Sequence, residues 1–355
     1  MAPALFEIPA AITTVSTPQP APVFDKLLRP LHDLRLSVTD RCNFRCTYCM
    51  PKEVFGPGHA FLPKSEVLGF DEMTRLTRIF VGLGVRKVRV TGGEPLLRSG
   101  LDRLIAQLSA IEGLEDLTLT TNGSALAGQA VALRAAGLKR LTVSLDALDD
   151  TTFRAMNDVD FPVSKVLASI EAALAAGFEP VKINMVVKRG VNDDQIIPMV
   201  RRFRGPEFIL RFIEYMDVGN TNGWRLEQVV TAKEILARIA AEFPLDTLPP
   251  NYQGEVATRF RHADGGGELG VVASVTAPFC RGCTRARLSS DGRLFTCLFG
   301  SSGHDLRGML RGGADDRLVT NIIRDIWSGR GDRYSETRSD ETVRRPKAEM
   351  STLGG

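Results

Sequence analysis

The segment "LRLSVT", residues 34–39, decides the fold. Read as a strand, it puts Leu34, Leu36 and Val38 on one face and Arg35, Ser37 and Thr39 on the other, because successive side chains of a strand alternate. The same two-sided pattern returns in "KVRVT" (87–91), "LTLTTN" (117–122), "LTVSLD" (141–146) and "VKINMVV" (181–187), and "ILRFIE" (209–214) makes a sixth strand. Lys87, Arg89 and Thr91 share one face, as do Thr118, Thr120 and Asn122, then Thr142, Ser144 and Asp146, then Lys182 and Asn184. Between the strands lie amphipathic helical stretches, several closed by a glycine suited to a helix C-terminus: Gly84, Gly113, Gly137 and Gly177. Strands alternating with helical crossovers predict a parallel sheet with right-handed connections. Six units are too few to close an eight-stranded barrel, so the expected fold is α/β, an open, partial TIM-type barrel of about six βα units. Parallel strands covered on both faces read almost continuously apolar. Here one face carries hydroxyls, amides and cations, which predicts a wide, wet, positively charged lumen shaped for a large polar anion. An antiparallel sheet with a solvated face gives the same alternation, but helical stretches between nearly all the strands weigh against it.

The 355 residues suffice for one large α/β body and a smaller appendage. Hydrophobic content is 43% and charged content 25%, ordinary for a globular protein, and a net charge of only +3 argues against a dedicated nucleic-acid binder. Residues 1–30 are rich in proline, serine and threonine with no basic start before an apolar run, so they read as a flexible extension rather than a signal or a membrane span. Residues 31–240 form the expected barrel. After about residue 240 the βα rhythm gives way to "FPLDTLPPNYQGE" and "HADGGGELG", so 241–355 is expected to be a separate, smaller C-terminal α+β region covering part of the barrel's open side or mouth. Arginines in "RRFR" (201–204) are most simply a charged helix end.

Six cysteines are too few for a disulfide scaffold of this length, and they fall into two clumps of three, which suggests metal or cluster binding in a reducing, cytoplasmic setting. "CNFRCTYC" (42–49) supplies Cys42, Cys46 and Cys49 in the loop directly after the first strand, the end at which α/β barrels build active sites. A structural zinc site takes four ligands, whereas three thiolates on a [4Fe–4S] cluster leave one iron open. Only His32, His59, His262 and His304 exist to complete a zinc site here, and none has finger-like spacing.

The second triplet, "CRGCTRARLSSDGRLFTC", holds Cys280, Cys283 and Cys297. Asp291-Gly292 is a two-residue hairpin signal. Pairing outward from it sets Ser290 opposite Arg293 and Ala286 opposite Cys297, which returns Cys297 to the neighbourhood of Cys283. Again three thiolates gather; zinc with His262 or His304 as fourth ligand competes. Arg285 and Arg287, two residues apart, share a face and form a clamp for phosphate oxygens. Ideal pairing puts them opposite Cys297, so a shared site requires strong twist or a bulge.

The first triplet, with Tyr48 before its last cysteine, and "TGGEP" (91–95) after the second strand resemble the cluster and glycine-rich motifs of the radical S-adenosylmethionine (SAM) enzymes. That resemblance implies SAM held near Tyr48, Gly93, Glu94, Ser144 and Met216, and a 5′-deoxyadenosyl radical as the reactive species. With the second triplet carrying R-x-R, "TTNG", "VSLDAL" and a terminal Gly-Gly, residues 31–355 are similar to the GTP 3′,8-cyclase family of molybdenum-cofactor biosynthesis. The resemblance implies two [4Fe–4S] clusters, with the six cysteines as the catalytic metal ligands. It also implies attack of a ribose 3′ radical of GTP on guanine C8, the second cluster holding the guanine end. The product is (8S)-3′,8-cyclo-7,8-dihydroguanosine 5′-triphosphate. The family's GTP positions fall on Arg35, Arg89, Thr120, Lys182, Arg285, Ala286 and Arg287, with Lys87, Asn184 and Arg211 as further contacts. Implied partners are GTP, an electron donor and a downstream cyclic pyranopterin monophosphate synthase, with a homodimer compatible and neither nucleic acid nor membrane involved. The tail is expected to reach the active site. Two other readings are a peptide-modifying two-cluster radical SAM maturase and a non-catalytic zinc-stabilised binding protein.

Overall fold

The computed structural model describes residues 22–339, 343 and 345–354. Six parallel strands form its centre: β1 (Asp33–Ser37), β2 (Lys87–Thr91), β3 (Asp116–Thr121), β4 (Arg140–Ser144), β5 (Val181–Val187) and β6 (Phe208–Glu214), paired in that order. Each helical crossover buries the apolar face of this sheet. Leu34, Leu36, Val88, Val90, Leu119 and Val143 are fully buried there. The helices Phe70–Gly82 and Leu101–Ser109 present Leu76, Phe80, Leu104 and Leu108 to the same core. The four glycines expected at helix ends all have positive φ.

A sheet of six strands leaves two edges of unpaired backbone groups, a standing invitation to misassociation. The chain after residue 240 closes both of them. On one side β9 (Glu268–Val272) pairs parallel with β6, and β8 (Thr258–His262) and β7 (Leu245–Leu248) follow antiparallel. On the other, β10 (Arg285–Leu288) pairs parallel with β1, followed by β11 (Arg293–Phe295) and β12 (His304–Asp305). The result is one open sheet of 12 strands. The smaller C-terminal region is joined to the barrel through backbone pairing: it extends the barrel's own sheet at both ends. Its added strands are as short as two residues, too short to show an alternation in the sequence.

The expectation of a flexible extension is corrected for residues 22–30. Residues 1–21 lie outside the described residues, but from Pro22 on the chain is packed. The Val23 amide donates to the Leu83 carbonyl, the Lys26 amide donates to the Arg330 carbonyl, and Asp25 and Arg29 are buried. Their ion pair, at 2.6 Å, gave no sign of burial in a proline-rich stretch. Among the described residues no helix is long and apolar enough to cross a membrane.

Candidate active site

The loop after β1 carries the first triplet, and the loop after β2 clamps it. The Gly93 amide donates to the Thr39 carbonyl and the Glu94 amide to the Arg41 carbonyl, each at 2.8 Å. A Cβ on Gly93 would stand 2.2 Å from the Arg41 carbonyl oxygen, so only glycine permits this approach. The Glu94 carboxylate accepts from the Leu96 amide (3.0 Å), the Thr121 hydroxyl (2.7 Å) and the Asn122 amide (2.7 Å). A carboxylate has about four acceptor sites, so one is left over beside the cavity that Glu94 lines. Tyr48 is buried and donates to Asp146 at 2.8 Å, which ties the triplet loop to the end of β4.

The second triplet departs from the expected register by one residue. Leu288 pairs with Leu294 and Arg287 with Phe295, and the Ser289 amide donates to the Arg293 carbonyl. The loop is thus Ser290-Asp291-Gly292, three residues with Gly292 at φ 79°, rather than Asp291-Gly292 alone. Continuing this count sets Cys297 against Arg285 instead of Ala286. The slip places Cys297 on the face of Arg285 and Arg287, and it removes the conflict that ideal two-residue pairing created.

All six cysteines, none of them disulfide-bonded, line a single cavity of about 280 Å³. Gly93, Glu94, Tyr48, Ser144 and Met216 line it on the side of the first triplet. Arg35, Arg89, Thr120, Asn184, Arg211, Arg285 and Arg287 complete its wall. Ala286 does not line it: the residue is fully buried on the opposite face of β10. Lys87 and Lys182 line a second cavity, of about 480 Å³, toward the N-terminal ends of the strands. Arg35, Arg89, Arg211 and Arg285 border both cavities, a cationic layer between thiols above and lysines below.

Arg89 and Arg211 are held in place by neutral partners. Arg89 donates to Thr120 and Thr142, each at 3.0 Å, and its buried Nε has no partner. Arg211 Nε donates to Asn184 Oδ1 at 3.0 Å. Burial, then the neighbouring Arg211, Arg140 and Arg89, bring Lys182 down to about 6. Burial followed by Arg89 lowers Lys87 to about 8, although Asp33 and Asp116 lie within 4.0 and 3.5 Å. Arg35 is likewise depressed by burial and by Arg89, Arg287 and Arg285. Cations crowded to this degree, one with an orphaned donor, fit a polyanion.

The two triplets differ in surroundings. Burial, then Glu94, raises Cys42 to about 11, and burial with the other thiols raises Cys46. Cys49 is raised by burial, Cys42 and Glu349. Burial raises Cys297 to about 11 as well. Cys283 alone goes down, to about 7, because Arg285 and Arg330 outweigh its burial. Four buried thiols that resist ionising suit ligands whose thiolate charge is met by metal. Among the described residues no three His, Cys, Asp or Glu groups converge on a single-ion site; a four-iron cube takes each thiolate on a separate iron. His262 is buried edge-on to Phe243, and His304 is exposed on β12; neither lines the cavity, so zinc at the second triplet lacks its expected fourth ligand.

The C-terminal segment enters the same region. Arg287 donates to the carbonyls of Leu353, at 3.5 Å, and Gly354, and Leu353 is fully buried. Gly355 lies outside the described residues. Sequence reading missed Arg29, Arg330 and Tyr252. The first two line the thiol cavity and the third accepts from Lys87 at 3.0 Å in the lower one. They are single residues in unpatterned segments and carried no motif. "RRFR" is a charged helix end, with Arg201 and Arg202 paired to Glu242 and Glu171.

Comparison with known proteins bears on this geometry. Residues 36–203 match the radical SAM superfamily, and residues 208–336 match a family described as Molybdenum Cofactor Synthesis C. Two solved structures of Streptococcus suis SuiB share the fold. The one bound to precursor peptide SuiA has TM-score 0.59 at 14% identity, over 85% of this chain and 66% of that one. The one bound to S-adenosylmethionine has TM-score 0.58 at 15% identity, over 83% and 68%. Fold and motif loops together are those of a radical SAM enzyme, a class that uses SAM and a [4Fe–4S] cluster. Much nearer in sequence are proteins named GTP 3′,8-cyclase. That of Acidothermus cellulolyticus is 56% identical, covering 90% of this chain and 89% of its own. That of Xanthomonas axonopodis pv. citri is 54% identical (94% and 99%), and that of Staphylococcus saprophyticus 50% identical (94% and 99%). The chain belongs to the GTP 3′,8-cyclase family.

Proposed function

We propose that this chain converts GTP to its 3′,8-cyclised dihydro triphosphate, the first step of molybdenum-cofactor biosynthesis. The observation that carries the reading is the layer of Arg35, Arg89, Arg211 and Arg285 between a cavity with six thiols and one with Lys87 and Lys182. A nucleoside triphosphate is charged at one end and neutral at the other, and this layer sorts the two. Its phosphates are met by the guanidiniums and lysines, which leaves ribose and base among the thiols. Thr120 and Thr142 fix Arg89, and Asn184 fixes Arg211, so these cations need little reorganisation when the nucleotide arrives. Leu353 and Gly354 anchor Arg287 from the tail.

Cys42, Cys46 and Cys49 would hold the SAM-binding cluster, with Gly93, Glu94, Ser144 and Met216 around SAM itself. Cys280, Cys283 and Cys297 would hold a second [4Fe–4S] cluster. When bound, these groups supply the one-electron chemistry, and the protein's part is to keep water and competing acceptors away from a substrate held in one pose. An external electron donor is required, and the product passes to a cyclic pyranopterin monophosphate synthase. Anaerobic incubation of the reconstituted protein with GTP, SAM and a reductant, followed by mass analysis, tests the reading. An isomer of GTP formed together with 5′-deoxyadenosine is the expected result. SAM cleavage with unchanged GTP would refute it.

A further inference from the structure

The second triplet is gripped by buried residues that lie outside its motif. Arg330, 4% exposed, donates from Nη2 to Cys283 Sγ at 3.1 Å and from Nη1 to the Cys283 carbonyl at 2.7 Å. Arg29, 2% exposed, arrives from the N-terminal segment and donates from Nη1 to the carbonyls of Cys280 (2.7 Å) and Asp332 (2.8 Å). Asp25, 4% exposed, joins the two guanidiniums, accepting from Arg29 at 2.6 Å and Arg330 at 3.2 Å. Trp327 backs the pair: its ring lies 4.5 Å from the Arg330 guanidinium, and its indole N–H donates to the Arg29 carbonyl.

Two buried guanidiniums share one buried carboxylate, so the unit carries excess positive charge where solvent cannot reach it. The half-exposed Asp332 compensates only in part, 3.5 Å from Arg330. Arg29 Nη2 has no hydrogen-bond partner, and Arg330 Nε has only its 3.5 Å ion-pair contact with Asp332, although both residues line the thiol cavity. Buried orphan donors and unbalanced charge are costly. Both costs are removed by an anionic body with acceptor atoms seated against Cys280, Cys283 and Cys297, as a thiolate-ligated iron–sulfur cluster is. The first triplet has a mixed field: Arg45 donates to the Cys42 carbonyl at 2.8 Å, while Glu94, Asp146 and Glu349 add negative charge around its thiols.

We propose that Asp25, Arg29 and Arg330 form a cationic cradle that positions the second cluster and holds its reduction potential above that of the first. The cradle rests on the reading that the second triplet carries a cluster. Positive charge and N–H donors close to a cluster favour its reduced, more negative form. These are positioning residues: Arg29 and Arg330 touch the ligating cysteines, and Asp25 acts through the two arginines. They also give the segment from Pro22 to Pro30 a task, since it delivers two of the three.

The test is an anaerobic redox titration of the reconstituted full-length protein, followed by electron paramagnetic resonance, with iron counted on each sample. A Cys49→Ser background isolates the second signal. Wild type should hold about eight irons and titrate in two steps, the second cluster at the higher potential. Arg330→Met should shift that cluster's reduction equilibrium about tenfold toward the oxidised form, about 59 mV for a one-electron couple, or release it while the first signal persists. Arg330→Lys should stay near wild type, and Asp25→Asn should shift the same midpoint upward. Should Arg330→Met fail to fold, Asp25→Asn and Arg330→Lys decide on their own. Midpoints unmoved by Asp25→Asn, or moved equally for both clusters, overturn the cradle. Wild type with only about four irons and intact SAM cleavage would instead overturn the two-cluster reading beneath it.

Discussion

The two cysteine triplets face one cavity but are built in different ways. The first is local: eight consecutive positions in a single loop, clamped by two backbone hydrogen bonds from the glycine turn after β2. The second is assembled from a distance. Its hairpin closes an edge of the sheet against β1, and its supports come from Asp25 and Arg29 at one end of the chain and Arg330 near the other. Their fields also differ: Glu94, Asp146 and Glu349 act on the first together with Arg45, whereas at the second Arg29, Arg285 and Arg330 outnumber Asp25 and Asp332. A site made of adjacent residues can be read as a motif. A site made by register and remote burial becomes visible only once the chain is folded.

Replacing a ligand at each pole should separate their tasks most sharply. Cys49→Ser is expected to reduce SAM cleavage to background. Cys297→Ser should retain measurable SAM cleavage while abolishing cyclised product, both read by chromatography of deoxyadenosine and nucleotide; equal loss of both reactions would erase the distinction. Gly93→Ala pushes a methyl group into the Arg41 carbonyl and should cost about 1–3 kcal/mol in thermal or denaturant unfolding, as overpacking does. Iron should then be lost from the first triplet only. Arg285→Ala should weaken GTP binding by about 1.5–3 kcal/mol, the range for a charge-assisted hydrogen bond, with SAM affinity unchanged by calorimetry.

The smallest effect is one of sign. Burial and its cationic neighbours hold Lys182 near 6 in the free protein, well below a free lysine, so at neutral pH it is largely neutral. Phosphates beside it restore the proton, so GTP binding takes up protons and tightens as pH falls from about 8 toward 6. Lys182→Met should flatten that slope. Burial raises Glu94 to about 7, and the ammonium group of SAM favours its ionised form, so SAM binding releases a proton and weakens as pH falls below 7. Titration calorimetry in buffers of different ionisation heat checks both, and the two ligands should give protonation changes of opposite sign.

Much of the barrel was legible because its strands carry their fold in their alternation. β2 and β5 have the expected limits, 87–91 and 181–187, and the other four differ by at most two residues at an end. Lumen residues followed from the same parity, so Arg35, Arg89, Thr120, Ser144 and Asn184 line the upper cavity as anticipated. The hairpin register failed because Asp291-Gly292 fits either a two-residue or a three-residue loop, and the dipeptide alone does not choose between them. Arg29 and Arg330 were illegible for another reason. An arginine is ordinarily a surface residue, and its burial here depends on an aspartate 4 residues away in one case and 305 in the other.

The central claim is that two distinct metal sites address one substrate in a shared cavity. The most direct measurement is electron paramagnetic resonance of the reduced, reconstituted protein, titrated separately with SAM and with GTP. SAM is expected to perturb only the signal lost in Cys49→Ser, and GTP only the signal lost in Cys297→Ser. GTP that leaves both spectra unchanged, or two ligands that perturb the same cluster, would contradict the account.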